Sequence, residues 1–145
     1  MKKLFIAFVL SIFCNLLLAQ DGGTPQQKVA DLVQLGKEKA DNGNWNDAVN
    51  TYTSALQQDP KNADAYHNRA IARFNLKDYR GALMDYSKAI NVGTSIGADC
   101  VGAAYYGRGQ CYYALGMKDK ACLDFVKSSE LGNSDGTGAV QNFCN

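Results

Sequence analysis

Val29–Asn62 reads VADLVQLGKEKADNGNWNDAVNTYTSALQQDPKN, one helix–turn–helix unit of about 34 residues that the chain then repeats. Moving 34 residues on from Leu32, Gly36, Trp45, Ala48, Tyr52 and Ala55 lands on Tyr66, Ala70, Tyr79, Ala82, Tyr86 and Ala89. A further 39 residues lands on Tyr105, Gly109, Lys118, Ala121, Phe125 and Ser128. A fixed period of this length marks a protein built by stacking one unit on the next. Within each unit a small residue on the first helix (Gly36, Ala70, Gly109) lets a second helix come close. On that second helix a small residue (Ala48, Ala82, Ala121) is followed one turn later by an aromatic (Tyr52, Tyr86, Phe125), so both share a face. Small meets large across the hairpin.

The helices follow from the same pattern. The first runs to about Ala40, the turn Asp41-Asn42-Gly43-Asn44 follows, and the second covers about Trp45–Gln58. Asp59-Pro60 ends it, because the residue before proline is pushed out of the helical region. A third helix is expected over about Ala63–Leu76, a fourth over Tyr79–Asn91, a fifth over Ala103–Leu115 and a sixth over Lys118–Leu131. Val92–Gly102, with three glycines, breaks the period by five residues and reads as a loop between repeats. Gly132–Gly138 is loop-like, and Ala139, Val140 and Phe143 give the tail one or two turns of a closing helix. Arg69 with Asp85, and Arg108 with Asp124, recur at one point of their units and read as ion pairs within each repeat.

These residues resemble the tetratricopeptide repeat over Val29–Asp135. The first unit fits best, through Leu32, Leu35, Gly36, Gly43, Trp45, Ala48, Tyr52, Ala55 and Pro60. The second carries Thr94 for the closing proline and Lys77 for the usual turn glycine; the third carries Lys118 and Asn133 at the turn aromatic and proline positions. The ending Ala121-Cys122 … Glu130-Leu131-Gly132-Asn133 is similar to the related Sel1-like repeat. The resemblance implies an all-α, right-handed solenoid of three hairpins, residues 29–62, 63–96 and 102–135, with a loop at 97–101 and a cap at 136–145.

Composition narrows the setting. The chain has 145 residues and a formal net charge of +1, which gives no basic surface for nucleic acid or for a membrane. Lys2-Lys3, the apolar run Leu4–Leu18 and Leu17-Leu18-Ala19 read as a secretory signal peptide over residues 1–19, with residues 20–28 leading into the first helix. At about 15 residues the run is short of the roughly 20 that span a bilayer. Cys14 is unsuited to lipidation, because Ser11-Ile12-Phe13 lacks the small residue expected before it. The product is therefore expected in the periplasm or the medium, without a membrane span. Cleavage leaves Cys100, Cys111, Cys122 and Cys144, an even set that suits disulfides in an exported chain and allows three connectivities. Cys122 lies about 100° round its helix from Ala121, toward whatever packs next, and the tail carries Cys144 near its end; by the resemblance, Sel1-like endings also place cysteines this way. That favours Cys122–Cys144, with Cys100 and Cys111 as a second pair only if the loop folds Cys100 back over the fifth helix.

No catalytic set is legible. There is no phosphate-binding glycine loop, no nucleophile elbow and no partner for the single histidine, His67. Neither a metal site nor a cofactor is expected, since no cysteine pair has Cys-x-x-Cys spacing. By the resemblance, the first helix of each hairpin lines a concave groove. Helical spacing then puts Gln34, Lys37, His67, Asn68, Ile71, Phe74, Tyr106, Gln110 and Tyr113 along it, an aromatic floor with polar donors suited to a peptide or a partner's helix. Phe74 and Tyr113 also suit plain packing against neighbouring helices. Some family members clamp the C-terminal carboxylate of chaperones here. Lys37 and Asn68 fit that clamp loosely, but its other positions fall on Val33, Ala103 and Gly107, which carry no charge. The expected role is a protein-interaction module. A structural accessory in an envelope assembly, and self-association through a repeat end, are the alternatives.

Overall fold

The computed structural model describes residues 23–93 and 98–144, and every element among them is helical. In chain order these are α1 (Pro25–Asp41), α2 (Trp45–Gln58), α3 (Ala63–Asn75), α4 (Tyr79–Gly93), α5 (Ala98–Ala114), α6 (Lys118–Glu130) and α7 (Ser134–Phe143). Consecutive helices pack as antiparallel hairpins, and the odd-numbered helices also touch one another in series, α1 with α3, α3 with α5 and α5 with α7. One face of the stack is thus lined by odd helices and the other by even ones. The proposed signal peptide, Cys14 and Thr94 lie outside the described residues.

Sequence sets the ends of these helices. Thr24 caps α1 by accepting from the Gln27 amide at 3.2 Å, with Pro25 in the first turn. Asn62 accepts from Ala65 N at 2.8 Å to start α3, and Asn133 accepts from Gly136 N at 2.9 Å to start α7. The three intra-hairpin turns share one closure. A residue with positive φ (Gly43, Lys77, Gly116) donates three residues back, and the next residue donates five back, which satisfies the carbonyls at the helix end.

The core divides by hairpin. Tyr52 fills the first, against Val29, Val33 and Ala48; Tyr86 fills the second; Phe125 fills the third. Gly36 lies so close to Tyr52, and Gly109 to Phe125, that a methyl group at either would run into the ring. Charge reinforces the stack. Arg69 grips Asp85 with two bonds, Nε at 2.9 Å and Nη2 at 2.7 Å, and reaches Thr53 on the preceding hairpin at 2.9 Å. Arg108 repeats this with Asp124 (2.8 and 2.9 Å) and Ser87 (3.1 Å). Each pair therefore joins its own hairpin to the one before, a role wider than the ion pair within one repeat that the sequence suggested.

Two readings are corrected. The glycine-rich stretch is not loop as far as Gly102: α5 begins at Ala98, so residues 98–102 lengthen the helix. Gly102 serves close packing. A side chain there would press on Leu131 and Asn133, and its carbonyl accepts from the buried Ser128 hydroxyl at 2.8 Å. In the tail, likewise, α7 starts at Ser134, with Gly136 packed against Ser128. The second correction concerns the cysteines. Cys100 and Cys111 are both free and both on α5, where eleven residues rise about 16 Å, beyond disulfide reach. Cys111 is buried in the second core cluster, and burial pushes its thiol up to about 12. Cys122 and Cys144 are joined, with 5.6 Å between their Cα atoms.

Candidate functional site

The candidate groove residues all lie on the odd helices, but they do not form one continuous hollow. Gln34, Lys37, His67, Phe74, Tyr106, Gln110 and Tyr113 divide among three, running from the first repeat to the cap.

At the first repeat, Gln34 and Lys37 on α1 face Asp64 on α3 across a hollow of about 610 Å³. Gln34 is exposed and donates to Glu38 at 3.4 Å. Asn68 does not point a free amide into the groove. Its Nδ2 donates to the Asp64 carbonyl at 2.7 Å, the i−4 bond that a polar side chain makes on its own helix.

In the middle, His67 lines a hollow of about 250 Å³ with Asp64, Ala89, Cys100 and Ala103. Its Nδ1 is buried without a hydrogen-bond partner among the described residues, and the ring meets Tyr86 edge-on at 5.6 Å. Burial lowers its pKa, Lys37 lowers it further and Asp64 opposes both, so the imidazole is neutral at pH 7. Ile71 packs into the second core cluster. The exposed thiol of Cys100 arrives here because α5 starts early, and neither its position nor Asp64 was legible as groove lining.

At the cap end, Phe74, Tyr106, Gln110 and Tyr113 meet Phe125 and Phe143 around a pocket of about 190 Å³. Gln110 Nε2 donates to the Tyr106 hydroxyl at 3.0 Å. Burial, helped by Asp135, raises the Tyr106 pKa, so the phenol keeps its proton. Phe74 is half-buried and stacks edge-on with Tyr79 of its own hairpin at 5.2 Å. Tyr113 stays 47% exposed and tilts against Phe143 at 4.9 Å. Phe143, 40% exposed, is the wall that sequence reasoning missed. Its signal was present in the tail pattern Ala139, Val140 and Phe143, but that pattern reads as packing.

The clamp positions agree with their composition. Val33 is buried, Ala103 sits beside His67, and a side chain at Gly107 would enter the Tyr86 ring. Among the described residues no group of three or more His, Cys, Asp or Glu is placed to hold a metal ion, and no helix is long and apolar enough to cross a membrane.

Residues 36–77 match the family model described as TPR repeat, and residues 103–125 the one described as tetratricopeptide repeat. The small glutamine-rich tetratricopeptide repeat-containing protein 2 of Saccharomyces cerevisiae is 34% identical over 86% of this chain and 34% of its own length. Tetratricopeptide repeat protein 36 of Danio rerio is 31% identical over 74% of this chain and 57% of its own. The chain thus spans well under two thirds of these relatives. Among solved structures, the first TPR of Spaghetti (RPAP3) bound to the HSP90 peptide SRMEEVD superposes with a TM-score of 0.74 at 28% identity, covering 81% of this chain and 91% of that one. The Arabidopsis OM64 TPR domain gives 0.76 at 26%, covering 83% and 98%.

Proposed function

The chain belongs to the tetratricopeptide-repeat family, and from that premise we propose that it is an exported protein-interaction module whose odd-helix groove binds an extended peptide or a partner's helix. The observation that carries this is the row of side chains left open along α1, α3, α5 and α7, ending in a half-exposed aromatic pair, Tyr113 and Phe143. A solved structure of similar fold that is bound to a peptide supports peptide binding as the kind of role. Binding without chemistry suits a groove whose one histidine is neutral, with its buried Nδ1 unpartnered among the described residues. The partner differs in kind from a chaperone's acidic C-terminus, since Val33, Ala103 and Gly107 bring no cation to it. Export rests on residues 1–19, and the Sel1-like ending on the Cys122 and Cys144 positions; in an oxidising compartment that bridge would form and persist.

The test is selection from a displayed peptide library, repeated on Lys37→Glu and Tyr113→Ala proteins. Both side chains are solvent-accessible, so loss of the selected peptides with unchanged melting supports the groove. Retention by both variants contradicts it.

A second reading, a structural accessory, draws on Met84 and Leu123, 65% and 72% exposed, which occupy one register position of α4 and α6 on the opposite face. If the partner is lost on Met84→Lys and Leu123→Lys but kept by the groove variants, this reading takes precedence.

A further inference from the structure

The pocket at the cap end differs from the rest of the groove in being small and walled by a helix with little stability of its own. α7 has ten residues with two internal glycines, below the roughly 12–15 at which even good helix formers hold a helix in water. What fixes its last turn is packing of Val140 into the third core cluster and the bond from Cys144 to Cys122 on α6. Phe143 is the residue immediately before Cys144, and Phe125 lies one turn beyond Cys122. The bridge therefore joins the two chain segments that supply the pocket's two phenylalanines, whose ring centroids are 6.2 Å apart.

The lining carries no charged side chain: Phe74, Tyr106, Tyr113, Phe125 and Phe143 supply apolar surface, and the Gln110 amide bonded to the Tyr106 hydroxyl is the polar feature. An ionic side chain entering here would lose water without gaining a counter-charge. At about 190 Å³ the pocket is below the roughly 300–1,000 Å³ of sites that enclose a whole small molecule. It has room for one side chain of a longer ligand. Aromatic walls with one polar edge fit an aliphatic or aromatic side chain flanked by a peptide amide.

We propose that this pocket is the anchor subsite of the groove, that it accepts one uncharged apolar side chain of a partner peptide, and that the Cys122–Cys144 bridge holds it closed by fixing Phe143. The proposal rests on the groove reading above but assigns the anchor and its dependence on the bridge. Opening requires a reductant. A dithiol reduces the bridge to two thiols and is itself oxidised to its cyclic disulfide, and Phe143 is then tethered through packing alone.

The experiment is NMR titration of the protein with N-acetyl-leucinamide and, as the ionic counterpart, N-acetyl-aspartamide. The bridged protein should give saturable shifts at Gln110, Tyr113 and Phe143 with the leucine probe and none with the aspartate probe. Excess dithiothreitol, and separately Phe143→Ala with the bridge intact, should each weaken the leucine response about tenfold, near 1.4 kcal/mol. Equal response to both probes overturns the proposal, as does an affinity unmoved by reduction while the Phe143 signals shift. Peptides from the library test separate the two ideas. Peptides lost on Lys37→Glu but indifferent to Phe143→Ala keep the groove and remove the subsite; leucinamide binding without any library peptide keeps the subsite and removes the groove.

Discussion

Lys77, the buried aspartates and His67 show how single residues set the balance of this stack. Gly43, Lys77 and Gly116 occupy the same turn position with φ of 75°, 63° and 76°. Only Lys77 has a Cβ to clash there, at a cost of about 1 kcal/mol. Lys77→Gly is expected to raise the melting midpoint, and a lowered one would mean that the lysine side chain compensates through contacts of its own. The buried aspartates differ in insurance. Asp85 is held by Arg69 and also by Arg73 at 2.7 Å, whereas Asp124 has Arg108 alone among the described residues. Stranding a buried carboxylate costs about 3–5 kcal/mol. Arg108→Met should approach that loss in a denaturant melt, and Arg69→Met should cost clearly less; equal losses would contradict the accounting. His67 sets a pH dependence. Its pKa is lowered in the fold, mainly by burial, so below about 6.5 the unfolded chain takes up a proton that the folded one resists. Stability should fall as pH drops through that value toward the lowered pKa, and His67→Gln should flatten this part of the profile when melts are compared between pH 7 and pH 5.

At the scale of elements, the hairpins were legible and the joints between them were not. The small–large pairs correspond to contacts within the hairpins, Gly36–Tyr52 across α1–α2 and Gly109–Phe125 across α5–α6, and the Arg–Asp pairs to contacts across α3–α4 and α5–α6, because helix packing demands particular volumes at particular spacings. Glycine carries two meanings that spacing cannot separate. At Gly43 it relieves a turn, as read, and at Gly116 it does the same; at Gly102 and Gly136 it admits a neighbouring element, which the same composition presented as loop. The candidate site was legible in part for a related reason. Tyr106, Gln110 and Tyr113 follow from the face of one helix, whereas Phe143 comes from a tail whose placement depends on long-range contact and a bridge. That bridge closes a loop with a sequence separation of 22. In the chain-entropy model its loss costs about 3 kcal/mol. Cys144→Ser should therefore lower the unfolding free energy by about 3 kcal/mol in a denaturant melt, with hydrogen exchange speeding up first in α7. Uniform loss of protection from α1 to α7 would show that the cap is not a separate unit.

Across the whole described stack, the odd helices line the proposed binding face and the even helices line the face opposite. The face is graded, from the Lys37–Asp64 polar end through neutral His67 to the aromatic pocket under α7. A peptide lying along it would meet polar partners at one end and an apolar anchor at the other, which fixes its direction. The most direct measurement is site-specific photo-crosslinking in the cells that make the protein, with the photoreactive residue placed in turn at Asn68, Tyr113, Met84 and Leu123. One partner should be captured from Asn68 and Tyr113 and not from Met84 or Leu123. Capture of that partner from Met84 and Leu123, with none from Asn68 and Tyr113, would contradict binding along the odd helices.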